Sequence, residues 1–116
     1  METQTLKGRP TYHVQLRRQG SFKFKTILSV KHDVIKDFPK LLNEFQNLDA
    51  PLGEDETKII LRWLKRGKIN NISEGTQVQI IKTTPGTQQF EKVFPPTGYV
   101  LEWKDSRFTK RLARGR

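Results

Sequence analysis

Two histidines, His13 and His32, are the only side chains in the sequence whose unperturbed titration falls near neutral pH. Neither stands at a metal-ligand spacing from a carboxylate or from the other, so zinc-type chemistry and histidine acid–base catalysis find no motif. His32-Asp33, beside an expected helix start, reads as capping or solvated polarity. Glu54, Asp55 and Glu56 are consecutive, and consecutive helical residues point in different directions, so they do not converge on one divalent ion. First-turn acids are already accounted for by the helix dipole. The chain has no cysteine, which removes disulfides and thiolate metal sites, and it has no glycine-rich phosphate loop. Gly8, Gly20 and Gly53 read as turn residues. The expectation is a protein that is not an enzyme and carries no metal and no cofactor.

The chemistry that the sequence does supply is cationic. Among 116 residues, 22 Lys and Arg stand against 12 acids, a formal net charge of +10 with a pI near 10.2. The excess is blocked. Residues 1–30 hold six cations and one acid, residues 61–70 four and none, and residues 104–116 six and one. Residues 31–60 hold four cations against seven acids, and 71–103 two against three. The blocks are Arg17, Arg18, Lys23 and Lys25; then Arg62, Lys65, Arg66 and Lys68; then Arg107, Lys110, Arg111 and Arg114. Such groups neutralise phosphates and release condensed counterions, so a nucleic acid, RNA or DNA, is the expected partner. Tyr12, Phe22 or Phe108, if exposed, would stack on unpaired bases.

Each block also has a purely structural explanation. Lysines protect edge strands from aggregation, cations suit a helix C-terminus, and both keep proteins in solution. The alternative function is an accessory or assembly subunit whose basic surface docks on an acidic protein or a large ribonucleoprotein.

Elements must now be found to carry these residues. Tyr12, Val14 and Leu16 alternate with His13, Gln15 and Arg17, and Phe22 and Phe24 with Lys23 and Lys25, which is the period of two half-buried strands. A three-residue loop with Gly20 at the positive-φ position sets Leu16 opposite Phe22, Val14 opposite Phe24 and Tyr12 opposite Thr26. That register gathers His13, Gln15, Arg17, Lys23 and Lys25 on one basic face. Val34, Phe38, Leu41, Phe45 and Leu48, with Ile35 and Leu42 beside them, predict an amphipathic helix starting near Asp37 because Pro39 suits a first turn. A second helix is predicted over residues 54–66. Acids fill its first turn, Arg62, Lys65 and Arg66 its last, Gly67 is its cap, and Ile59, Ile60, Trp63 and Leu64 face the core.

Strands are predicted over residues 76–83, 88–94 and 98–103, with a turn at Thr84-Pro85-Gly86-Thr87 and a stop at Pro95-Pro96. Asp105 or Ser106 would cap a last short helix whose cationic stripe is Arg107, Lys110, Arg111 and Arg114. The expected fold class is therefore α+β in the order β-β-α-α-β-β-β. A mainly antiparallel sheet of about five strands packs on two helices. Residues 1–105 form a single domain and residues 106–116 a basic C-terminal tail or short helix. Residues 1–10 hold no apolar run of signal-peptide length, and no segment nears the roughly 20 apolar residues of a membrane helix. With the lack of cysteine, this favours a cytoplasmic protein.

Overall fold

The computed structural model describes residues 10–31, 41, 52–87 and 89–113. Among the described residues six strands run β1 (Thr11–Arg17), β2 (Lys25–Lys31), β3 (Gln77–Thr83), β4 (Phe90–Phe94), β5 (Tyr99–Lys104) and β6 (Arg107–Leu112), and helix α1 (Glu54–Arg66) precedes β3. Every pairing is antiparallel, and the order across the sheet is β2-β1-β3-β5-β6, with β4 also paired to β3. This corrects the expected sheet packed on two helices. Among the described residues the chain is mainly sheet, and α1 is the one helix described along its length. The helix predicted from Asp37 lies outside the described residues except for Leu41, which is helical and fully buried.

The period-2 pattern of β1 works as written: Val14 and Leu16 are buried, while His13, Gln15 and Arg17 face outward. The register does not. Leu16 pairs with Lys25, Gln15 with Thr26 and Val14 with Leu28, so Ile27 is an extra, bulged residue. The reason is the run Ile27, Leu28, Val30, a better strand than Phe22-Lys23-Phe24 and brought into phase with Val14 and Tyr12 by the bulge. Phe22 and Lys23 consequently lie in a loop, turned by Gly20 at φ 90° and by the Ser21 N–H donating to the Arg18 carbonyl at 3.0 Å.

The C-terminal segment also departs from expectation. Arg107–Leu112 is a strand and not a tail or helix, because Phe108 and Lys110 alternate with Arg107, Thr109 and Arg111 and pair with Trp103 and Leu101 on β5. Phe108 is fully buried and meets Trp103 edge-to-face at 4.8 Å. Asp105 and Ser106 are not helix caps. Both have positive φ, 54° and 64°, as the two central residues of a type I′ hairpin turn require. The other predicted turn is present as read: Gly86 has φ 86°, and the Thr87 N–H donates to the Thr84 carbonyl.

Helix α1 crosses the inner face of this sheet from one edge to the other. Just before it, the Leu52 N–H donates to the Phe108 carbonyl of β6 at 3.1 Å. Just after it, Gly67 packs on Ile27 of β2, where a Cβ would stand 2.8 Å from the Ile27 carbonyl oxygen. Ile59, Ile60, Trp63 and Leu64 are buried as the helical spacing predicts, in one core with Val14, Val78, Ile80, Phe94, Leu101 and Phe108.

Candidate nucleic-acid interface

The first cationic block lies against the C-terminal end of α1, the element that carries the second. Lys25, at the start of β2, stands beside Leu16 and not on the outer face with Arg17, which corrects the expected basic face. There, Arg18, Ser21, Lys23 and Lys25 rim a cleft of about 250 Å³ whose floor is Leu16, Ile27 and Ile69. Ile69 belongs to the end of α1, where a Schellman arrangement closes the helix: the Lys68 N–H donates to the Lys65 carbonyl and the Ile69 N–H to the Leu64 carbonyl, each at 2.8 Å. Gly67 is not the left-handed residue of this cap, having φ −82°; Lys68 is, at φ 69°. Glycine is needed at 67 for closeness to Ile27, and Lys68, the next residue, is exposed.

The loop also carries Phe22, whose relative exposure of 94% is the largest of any bulky apolar side chain described. No packing explains an aromatic ring there. Two further clefts share the same loop. One of about 130 Å³ is bounded by Arg17, Arg18, Gln19, Gly20, Ser21, Gly75, Gln77 and Glu102. Glu102 is its single carboxylate among the described residues, and Arg111 holds it at 3.0 Å.

The other cleft lies where the sheet forks. Along one side β3 pairs with β1 throughout, but on the other its first residues Gln77 and Val78 pair with β5 and its last, Ile80 to Thr83, with β4. Around the fork, Arg17, Phe24, Gln77, Gln79, Lys92 and Val100 enclose about 180 Å³. The Arg17 guanidinium lies over the Phe24 ring, 5.3 Å from its centroid, and donates to Gln77 Oε1 at 2.8 Å. Lys92 spans the fork by donating to the Tyr99 carbonyl at 2.8 Å, and partial burial holds its pKa below the ordinary lysine value.

Of the residues singled out in the sequence, Arg17, Arg18, Lys23 and Lys25 are assembled around one loop. Lys65, Arg66 and Lys68 are exposed at the end of α1, and the residue that follows, Ile69, lines the cleft that Lys23 and Lys25 rim. Arg62 is exposed one turn earlier on α1. Arg107 and Arg111 sit on β6, at the opposite edge of the sheet. Lys110 is 1% exposed and cannot reach a phosphate, and Arg114 lies outside the described residues. Lys92, Gln77 and Gln79 escaped the sequence reading because each is isolated in a nearly neutral segment, and only the fork brings them to Arg17. His13 has both ring nitrogens engaged, Nδ1 with Ser29 Oγ at 2.8 Å and Nε2 with Thr83 Oγ1 at 2.9 Å, which ties β2 to β3 across β1. Among the described residues no cluster of three His, Asp or Glu could hold a metal ion, and no helix is long and apolar enough to cross a membrane.

No protein-family model matches the chain, and comparison with curated proteins and with solved structures gives no match either.

Proposed function

We propose that this protein binds single-stranded nucleic acid along the loop that joins β1 to β2. The observation that carries the reading is Phe22: an aromatic ring, 94% exposed, on a loop whose charged residues, Arg18 and Lys23, are both cations and which runs into Lys25 at the start of β2. Lysines alone are explained by solubility, but solubility does not place a phenyl ring in water between them. A stacking ring flanked by phosphate-neutralising side chains is what sequence-tolerant single-strand recognition uses, with about 1–3 kcal/mol per stacked base. Lys68 and the last turn of α1 extend the cationic surface beyond the loop.

The testing experiment compares binding of a single-stranded oligonucleotide and its duplex to the wild-type chain and to Phe22→Ala. The reading expects a preference for the single strand that Phe22→Ala reduces by about tenfold, while duplex binding, which is electrostatic, changes little. Equal loss on both strands, or no binding to either at low salt, would move the surface to an acidic protein partner.

A further inference from the structure

We infer that the cleft at the sheet fork is a base-reading pocket for uracil or thymine; the inference rests on the proposed single-strand reading and gives it a specificity. The cleft is separate from the phosphate track, and its Arg17 is the chain neighbour of Arg18 on that track. Its volume, about 180 Å³, is below the roughly 300–1,000 Å³ of clefts that enclose a whole small molecule. One flat pyrimidine ring is a better match.

Its polar groups are oriented by the sheet. Arginine can only donate, so its bond to Gln77 Oε1 fixes the Gln77 amide with Nε2 turned the other way. Among the described residues Nε2 has no protein partner, and although Gln77 is only 8% exposed, none of its polar atoms is both buried and unpaired. Nε2 is therefore a donor left available where Gln77 lines this cleft and the smaller one beside it. Gln79 is held the opposite way. Its Nε2 donates to Gln15 Oε1 at 2.8 Å, and Gln15 in turn donates to Thr26 Oγ1 at 3.0 Å, which leaves Gln79 Oε1 as an acceptor. Lys92 adds a second donor side chain, since one bond to the Tyr99 carbonyl leaves it further N–H groups.

The cleft thus offers donors from Gln77 and Lys92 and an acceptor from Gln79. Uracil and thymine present the complement, two carbonyl oxygens flanking one N–H. Cytosine and adenine each present an amino group where the cleft has a donor. Val100 and Pro95 supply apolar walls, and the Arg17 guanidinium is positioned for the attached phosphate.

The test is NMR titration of the full chain with the 5′-monophosphates of uridine, thymidine, cytidine and adenosine. Uridine or thymidine monophosphate should shift the Gln77 and Gln79 side-chain amide resonances at concentrations about tenfold below those needed for the other two. The difference between uridine and thymidine then distinguishes an RNA from a DNA source. Gln79→Ala should erase the preference, and Gln79→Met, which keeps the side-chain length, gives the same reading if alanine loosens the sheet. Equal shifts by all four nucleotides, or shifts confined to residues 18–25, overturn the pocket while leaving the single-strand reading in place. Uridine shifting Gln77 and Gln79 in a chain that binds no oligonucleotide would leave the pocket and overturn that reading.

Discussion

Gly67 and Ile27 touch so closely that a Cβ at position 67 would stand 2.8 Å from the Ile27 carbonyl oxygen and 3.1 Å from its side chain. That contact is where the end of α1 meets β2, and it brings Ile69, the residue after Lys68, into the cleft rimmed by Lys23 and Lys25. Gly67→Ala should push the helix off the strand. The expected destabilisation is about 1–3 kcal/mol, the usual cost of overpacking, with a weaker oligonucleotide affinity in the fraction that remains folded. Urea unfolding and anisotropy titration on the same variant measure both.

Lys68 holds a left-handed conformation that glycine adopts without steric penalty. Lys68→Gly should therefore raise stability by about 1 kcal/mol. If Lys68 contacts a phosphate, the same substitution should make the salt dependence of binding shallower by about one phosphate contact. A gain in melting temperature together with a shallower slope identifies a residue kept at a local cost for its charge.

Strand β6 makes a second, opposite demand. Phe108 is fully buried, and the Leu52 N–H that leads into α1 is bonded to its carbonyl. Phe108→Ala should cost about 3–5 kcal/mol, enough to unfold a small domain. Removing residues 106–116 should abolish cooperative thermal unfolding, which circular dichroism would show. Ser106→Gly, at the second positive-φ position of the β5–β6 turn, should instead stabilise by about 1 kcal/mol without touching affinity.

These contrasts show what the sequence could and could not reveal. Alternation in β1, the dipole pattern and apolar face of α1, and the Pro85-Gly86 turn were legible because each depends on neighbours within a few residues. The β1–β2 register was not, because a bulge at Ile27 resets the phase and an equally regular pattern at Phe22 and Phe24 competes with it. Residues 107–112 fit a helical cationic stripe, while their alternation as a strand is broken by the charged Lys110 between Phe108 and Leu112, and only the partner strand β5, with Trp103 opposite Phe108, decides for the strand. At the interface, the cationic blocks were visible as charge, but the contact of Gly67 with Ile27 that sets the end of α1 against β2 is a tertiary fact. The fork that joins Lys92, Gln77 and Gln79 depends on β3 exchanging one partner strand for another, which no local pattern encodes.

Lys92 gives the site a pH dependence with opposite signs for stability and for binding. Burial lowers its folded pKa below the ordinary value of 10.5, so between the two values the unfolded chain holds the proton that the folded chain has lost. Stability should rise slightly with pH across that window. Affinity for an anionic ligand at the fork should fall across the same window, as the ammonium discharges before exposed lysines do. Lys92→Arg, which stays charged, should flatten the alkaline decline in affinity measured between neutrality and the lysine range.

The central claim is that Arg18, Lys23, Lys25 and Lys68 form one phosphate track around Phe22. The direct measurement is the slope of log affinity against log salt for a single-stranded oligonucleotide, on the wild-type chain and on a variant with these four residues changed to glutamine. Each lost contact should reduce the slope by about 0.7 for a single strand. The account predicts a loss approaching about three units when all four contact phosphate, with thermal unfolding no less cooperative than in the wild type. An unchanged slope and affinity in a folded quadruple variant would contradict it and remove the loop from any nucleic-acid site.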